Sequence, residues 1–272
     1  MYMSKYEHKA DLSKIEVCKN LTGFLRSIQL TLKSGYRYYT SGHISRSRIV
    51  DVINKFDRYY DVCESSIDRT RRHKLNQPTV MLKLFFPQSR SENDVFSFIL
   101  LARPGINEST DHPFFFREKY SDAFDRKHRI NVNGYEFVRV NKEQYEFNSN
   151  EKSIKVPGVV GVWTIGLSDK YIKDTKQEYD ESLVKNNWFN VNSIRCSLTR
   201  VLPFHKVRKD YYHMHRFCNE RFDEVVKSQG LNKGYINLYP MPKQLGYMTD
   251  VKIFRLKLSE ILNDEYIIKK VI

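Results

Sequence analysis

Apolar residues recur along the amino-terminal third at helical spacing. Between Leu12 and Leu32, Ile15, Cys18, Leu21, Leu25 and Ile28 fall three or four residues apart and form one stripe. Ser13 and Glu16 are placed as a capping box at its start, and Ser34-Gly35 is placed to stop it. A second stripe, Ile49, Ile53, Phe56, Tyr60, Cys63 and Ile67, predicts another helix, with Ser45 or Ser47 as its cap. That helix runs out into Arg69, Arg71, Arg72, His73 and Lys74, and the aromatic, basic stretch from Gly35 to His43 reads as the loop between the two.

The period changes after Pro78. Thr79 to Phe86 and Val95 to Leu101 are rich in β-branched, aliphatic and aromatic residues, which predicts two strands joined as an antiparallel hairpin through the polar residues 88–94. Phe114 to Phe116 leads into a charged segment, Arg117 to Lys127, expected to be helical. Asn133-Gly134 lies between two strand-like runs, Arg129 to Val132 and Tyr135 to Val140. The pair tolerates positive φ at both turn positions, so a hairpin follows. The polar stretch 141–156 reads as a loop or linker. Val159 to Leu167 reads as a strand, and Ser168-Asp169 caps a helix to about Lys185. A long helix spans roughly Lys206 to Gln229 and stops at Gly230. Val251 to Leu256 reads as a strand, before a short helix with Leu258, Ile261 and Leu262. The pattern predicts an α+β fold: an N-terminal helical region followed by a mixed or antiparallel sheet with flanking helices. It divides as a helical basic region over 1–75 and an α+β region over 76–272, or forms one domain.

Composition narrows the class. With 40% hydrophobic and 14% aromatic residues, the 272-residue chain can fill a core, so global disorder is excluded as an expectation. Lys and Arg number 46 against 32 Asp and Glu, a formal charge of +14 that attracts polyanions. The apolar runs are too short to span a bilayer, and Met1 to Lys14 holds no apolar signal core. Cys18, Cys63, Cys196 and Cys218 are scattered with no CxxC pair, which fits reduced thiols and a cytoplasmic location. Abundant Lys, Asn, Ile, Tyr and Phe match AT-rich coding, as in a phage or mobile genetic element.

Signals for a reaction are sparse. His213-Met214-His215 resembles the metal-binding triplet of HUH endonucleases, and Tyr239 with Lys243 resembles the Tyr-x-x-x-Lys nucleophile motif of some members. The resemblance implies a metal-dependent endonuclease or replication initiator with the triplet on a strand. Val207, Tyr211, Met214, Cys218, Phe222 and Val225 instead keep helical spacing through the triplet. On a helix, residues two apart point about 200° from each other, so the histidines could not share a metal. Pro240 and Pro242 also oppose a helix around Tyr239. Asp250-Val251-Lys252 matches part of a nuclease Asp…Glu-x-Lys pattern without its acidic partner. No nucleophile elbow or glycine-rich phosphate loop occurs. No catalytic residue, metal or cofactor is assigned, and whether the chain is an enzyme stays open.

The basic residues carry more. From Tyr36 to Lys74, aromatic and cationic groups interleave, so tyrosines could stack on bases and arginines pair with phosphates. The expected contacts are Tyr36, Arg37, Tyr38, Arg46, Arg48, Arg69, Arg71, Arg72 and Lys74. A helix-turn-helix is one version, with Ser45 to Phe56 as the recognition helix, although the intervening loop exceeds the usual turn. The structural alternative for Arg69 to Lys74 is a solvated helix end, where cations meet the dipole. Further basic patches are Arg117, Lys119, Arg126, Lys127, His128 and Arg129, and Arg200, His205, Lys206, Arg208 and Lys209. The expected partner is nucleic acid, DNA ahead of RNA, and not a membrane. The alternative is a basic interaction subunit that meets an acidic protein surface.

Overall fold

The computed structural model describes residues 8–87, 95–106, 110–147, 153–246 and 254–263, with the backbone alone over 142–147 and 153–160. The chain divides into two compact units, residues 1–129 with 251–272, and residues 130–250. The first unit begins with β1 (Glu16–Cys18), α1 (Leu21–Lys33), β2 (Tyr38–Ser45), α2 (Ile49–Tyr60) and α3 (Ser66–Lys74). It continues with β3 (Thr79–Phe85), β4 (Val95–Arg103), α4 (Pro113–Arg117) and β5 (Ser121–Asp122). The second unit holds β6 (Asn131–Val132), β7 (Tyr135–Phe147), β8 (Ser153–Leu167), α5 (Asp169–Val184), α6 (Trp188–Thr199) and α7 (His205–Ser228). The chain then rejoins the first unit as β9 (Arg255–Lys257) and a helical stretch over 258–263.

The first unit is built on a mixed six-stranded sheet in the order β5-β2-β4-β3-β1-β9. β1 and β3 run parallel, with Val17 beside Leu84, and the other pairings are antiparallel. Alternation along the strands sends Val80, Leu82, Leu84, Phe96, Phe98, Leu100 and Ala102 to one face. There they pack in one core with Ile49, Ile53, Phe56 and Tyr60 of α2. α1 covers the opposite face, where Phe24 stacks on Phe85 at 5.4 Å and Thr31 meets Met81. The expected α+β class and the β3–β4 pairing hold.

Several amino-terminal expectations need correction. Leu12–Lys14 is a single helical turn capped by Asp11, and α1 begins at Leu21, where Asn20 accepts from the Gly23 N–H at 2.8 Å. Glu16 to Cys18 lie in a ladder between β3 and β9, so strand pairing overrides a locally helical stripe. The expected loop to His43 is largely strand: β2 pairs with β4 from Tyr38–Ala102 to Ser45–Val95. The second stripe breaks at Asp61, which is left-handed at φ 53°. Ser65 then caps a separate helix by accepting from the Asp68 N–H at 3.1 Å. Ser45 makes no side-chain cap, and the turn Arg46–Arg48 precedes α2. Nor is Arg117 to Lys127 a helix: α4 ends at Arg117, and β5 and a turn capped by Asp125 follow.

One close approach within this sheet is directly testable. A Cβ on Gly42 would lie 2.9 Å from the ring of Phe98, its cross-strand partner, and that ring also packs against Phe56 at 5.5 Å. Gly42→Ala is therefore expected to destabilise the protein by about 1–3 kcal/mol through overpacking, read from the midpoint of urea denaturation.

The second unit matches its sequence pattern at the Asn-Gly turn, at α5 and at α7. Asn133 (φ 49°) and Gly134 (φ 81°) form the turn between β6 and β7, as expected. The stretch 141–156 is not a linker: residues 141–147 and 153–156 belong to β7 and β8, which pair from Tyr135–Leu167 to Phe147–Ser153 with a register shift at Glu143/Gln144. Backbone pairing carries the ladder past its apolar half into polar sequence. Ser168 caps α5 through the Tyr171 N–H, and Gly230 at φ 64° follows α7. α6, which the apolar pattern does not predict, packs with α5 and α7 around Arg195. That side chain is 5% exposed and donates from Nε to the Tyr239 carbonyl at 2.8 Å. Its Nη1 reaches Tyr179 Oη at 3.3 Å and Asn219 Oδ1 at 3.2 Å.

Candidate functional site

The excess charge is unevenly distributed. Residues 1–129 and 251–272 hold 28 Lys and Arg against 18 Asp and Glu, ten of the fourteen excess charges. Within that unit α3 is a strongly basic helix. β1 is only three residues long, and α3 lies beside β3 with no buried residue of its own. Its inner side is held by His73, whose Nε2 is 3.0 Å from Thr79 Oγ1 and 3.2 Å from Tyr36 Oη. Burial raises the Tyr36 pKa and lowers that of His73, so the network is neutral at pH 7. Ile67, Arg71 and Lys74 are spaced four and three apart, share the opposite side of the helix and are exposed.

The expected contacts thus separate. Arg71, Lys74 and Arg48 are exposed, and Arg69 turns into a cavity below. Arg72 is held by Asp61 at 2.9 Å and Glu64 at 2.7 Å. Arg37 forms an ion pair with Asp122 at 2.6 Å and lies over the ring of Phe124 at 4.8 Å. Arg46 donates to the Ile261 carbonyl at 2.9 Å and lies over Phe86. Tyr36 is fully buried, so it cannot be a stacking group. Tyr38 is enclosed edge-on by Phe115 and Tyr120, each at 5.4 Å. Of the two expected stacking groups, Tyr36 belongs to the core, and Tyr38 packs against Phe115 and Tyr120 with Arg37 over its ring at 5.3 Å.

Beneath α3 lies a cavity of about 460 Å³. β1, β3 and β9 form its floor. Their register places Lys83 and Glu16 in adjoining positions with Lys257 opposite Glu16, and Cys18 opposite Arg255 in the next row. Ser27 of α1, Ser65, Ser66 and Arg69 at the start of α3, and Ser13 and Lys14 complete the lining. Glu16 is already engaged by Arg255 at 2.7 Å and by Lys257 at 3.7 Å. Glu64, also in the lining, is engaged by Arg72. Burial, then repulsion from Arg255 and Arg69, pushes the Lys83 amine down to about 8. Burial raises the Cys18 thiol, so it remains protonated and is a poor nucleophile.

The histidine triplet is helical. α7 covers residues 205–228, and His213 and His215 sit in different surroundings. His213 lines a cavity of about 300 Å³ with His205, Arg208 and Tyr212. His215 lies against Tyr211 and Asn219, and burial lowers its pKa. Among the described residues no three His, Cys, Asp or Glu side chains are arranged to hold a metal. The helix removes the shared metal geometry of the HUH endonuclease expectation. Tyr239 Oη is not placed by a helix; the residue is anchored by its backbone, with its N–H donating to Asn192 at 2.6 Å. Asp250, Val251 and Lys252 lie outside the described residues. All four cysteines are unpaired, and burial raises Cys63 and Cys218 to about 12. No helix among the described residues is long and apolar enough to cross a membrane.

Sequence reasoning passed over Lys83, Arg255 and Lys257. The available signal was a lone charge inside the apolar run Thr79 to Phe86, where a strand buried on both faces has no use for one. Its cationic neighbours could not be found that way, because β9 begins 170 residues after β3 ends. Compared with known proteins, the chain matches no family model, no curated protein and no solved structure, so its own geometry carries the functional reading.

Proposed function

We propose that the protein binds nucleic acid through its first unit, with the outward side of α3 on the phosphate backbone. The observation that carries this reading is the placement of Arg71 and Lys74 on one exposed side of a helix with no buried residue. Ten excess positive charges in the same unit supply the long-range attraction that brings a polyanion to that side. Cations on a rigid helix contact phosphates without reading bases, so affinity depends on salt more than on sequence.

The test is fluorescence anisotropy with labelled duplex DNA, single-stranded DNA and RNA over a salt series. The double variant Arg71→Ala/Lys74→Ala is expected to bind about tenfold more weakly and, on duplex, to lose about two from the slope of log K against log salt. Weak binding that ignores salt, or an unchanged slope in the variant, overturns the proposal.

A second reading has one observation in its favour. Ile67 is 79% exposed on the same side as Arg71 and Lys74, and Leu75 is 54% exposed at the helix end. Apolar groups ringed by cations suit an acidic protein surface. Ile67→Ser separates the two, since it leaves a phosphate contact intact and removes an apolar anchor.

A further inference from the structure

The cavity beneath α3 holds more positive charge than its own carboxylates can answer. Five cations, Lys14, Arg69, Lys83, Arg255 and Lys257, line it with only two acids, Glu16 and Glu64. Both acids are already engaged, Glu16 by Arg255 and Lys257, and Glu64 by Arg72. Lys83 and Arg69 make no side-chain hydrogen bond or ion pair among the described residues. A lysine taken out of water without a partner is costly. Here it is also repelled by Arg255 and Arg69. Its strand neighbours Leu82 and Leu84 are apolar, its cross-strand partner on β4 is Ile99, and the acid beside it on β1, Glu16, is taken by Arg255 and Lys257. A strand position that keeps an unanswered ammonium beside a free guanidinium is prepared for an anion.

From this geometry we infer that the cavity is a site for a phosphate monoester, held by Lys83 and Arg69 with the Ser66 hydroxyl. A dianion suits the surplus better than a carboxylate does, and the Ser66 hydroxyl can donate to its oxygens, whereas those of Ser13, Ser27 and Ser65 already donate to Asp11, the Phe24 carbonyl and Asp68. The volume, about 460 Å³, falls within the range of about 300–1,000 Å³ usual for small-ligand sites, so there is room beyond the phosphate for a nucleoside. Two sources share this chemistry, the phosphorylated end of a nucleic-acid strand and a free mononucleotide. The first rests on the nucleic-acid reading above, because a strand crossing α3 could deliver its end to the cavity; the second does not.

The amine also makes the site sensitive to pH. The charged and titratable groups facing Lys83 are Glu16 and Cys18 on β1, Arg255 and Lys257 on β9, Arg69 and Glu64 at the start of α3, and Lys14. Lys83 loses its proton at about 8 when the cavity is empty. A bound dianion favours the charged form, so binding takes up a proton and affinity falls as pH rises from 7 to 9.

The experiment compares four probes on the full chain at matched ionic strength: a 5′-phosphorylated oligonucleotide, the same strand with a 5′-hydroxyl, adenosine 5′-monophosphate and inorganic phosphate. Calorimetry at pH 7 is expected to show the phosphorylated strand binding at least tenfold more tightly than the hydroxyl strand, with measurable binding of the two small phosphates. In Lys83→Met the two strands bind alike and the small phosphates do not bind; in Lys83→Arg the preference returns. Lys83→Met removes a half-buried charge that Arg255 and Arg69 repel, so its melting temperature is expected to hold or rise, which keeps misfolding from imitating the result. If neither strand binds but the small phosphates do, and they depend on Lys83, the nucleic-acid reading fails while the phosphate site stands with a free nucleotide as its source. If both strands bind equally and neither small phosphate binds, the site is refuted and the α3 interface survives.

Discussion

Arg195→Ala is expected to cost the second unit about 3 kcal/mol, because it strips donors from acceptors that stay buried. The guanidinium joins three parts of the chain. It donates to the Tyr239 carbonyl, to Asn219 Oδ1 on α7 and to Tyr179 Oη on α5. Tyr179 itself keeps a bond to the Cys218 carbonyl at 3.0 Å, so the helix pair does not come apart on truncation. The Tyr239 carbonyl is left facing an emptied space, and the segment from Leu231 to Gly246, which has little regular structure, loses its inner anchor. Arg195→Met refills most of the volume without the donors, so its loss should be smaller and should isolate the hydrogen-bond part. Urea denaturation gives the two values, and hydrogen exchange at residues 236–242 reports whether the segment loosens before global unfolding. Equal stability of all three proteins would mean that the segment is held by Asn192 and by Tyr211, which donates to the Pro242 carbonyl, without Arg195.

The second large effect is expected in the first unit. Ile53 is fully buried in the middle of α2, among Ile49, Phe56 and the sheet residues that form one core. Ile53→Ala opens a cavity that close-packed neighbours cannot fill, at about 2–5 kcal/mol. The consequence reaches the candidate site because α2 sets the start of α3. After Tyr60 the chain turns at Asp61, Asp57 accepts from the Cys63 N–H at 2.7 Å, and Ser65 opens the next helix. A loosened α2 releases that corner, so binding should weaken in step with unfolding and recover at lower temperature. Ile53→Val, with one methylene fewer, should lose about 1 kcal/mol and keep full binding. Denaturation midpoints and anisotropy on the same samples decide the matter; binding that falls while stability holds would show that α2 acts on the site by another route.

How much of this was written locally differs between the two units. In the second, Asn133-Gly134 dictates its turn, Ser168 dictates the start of α5, and the apolar stripe of α7 runs without a break past His213 and His215. Each of these is a contact between near neighbours in sequence, so residue type and spacing suffice. The same holds for the β3–β4 pair, whose β-branched and aromatic runs are hard to place anywhere but in a sheet.

What the sequence by itself determined, then, is the class of fold, the strand pair at the centre of the larger sheet, the helices α5 and α7, and a large excess of positive charge. Tertiary structure decided the rest, and for one physical reason: it depends on which distant segments pair. Glu16 to Cys18 carry a helical stripe, yet the open edge of β3 on one side and β9 on the other draw them into strand. Tyr36 and Arg37 look like surface groups until Thr79 and Asp122, far along the chain, claim their polar atoms. The cavity exists only because β9 brings Arg255 and Lys257 beside a strand that begins at residue 16 and a lysine at residue 83. Local free energies of capping, turns and propensity are worth a kcal/mol or so each, about the size that a few buried cross-strand contacts can overturn. Where such contacts come from distant sequence, the chain alone does not announce them.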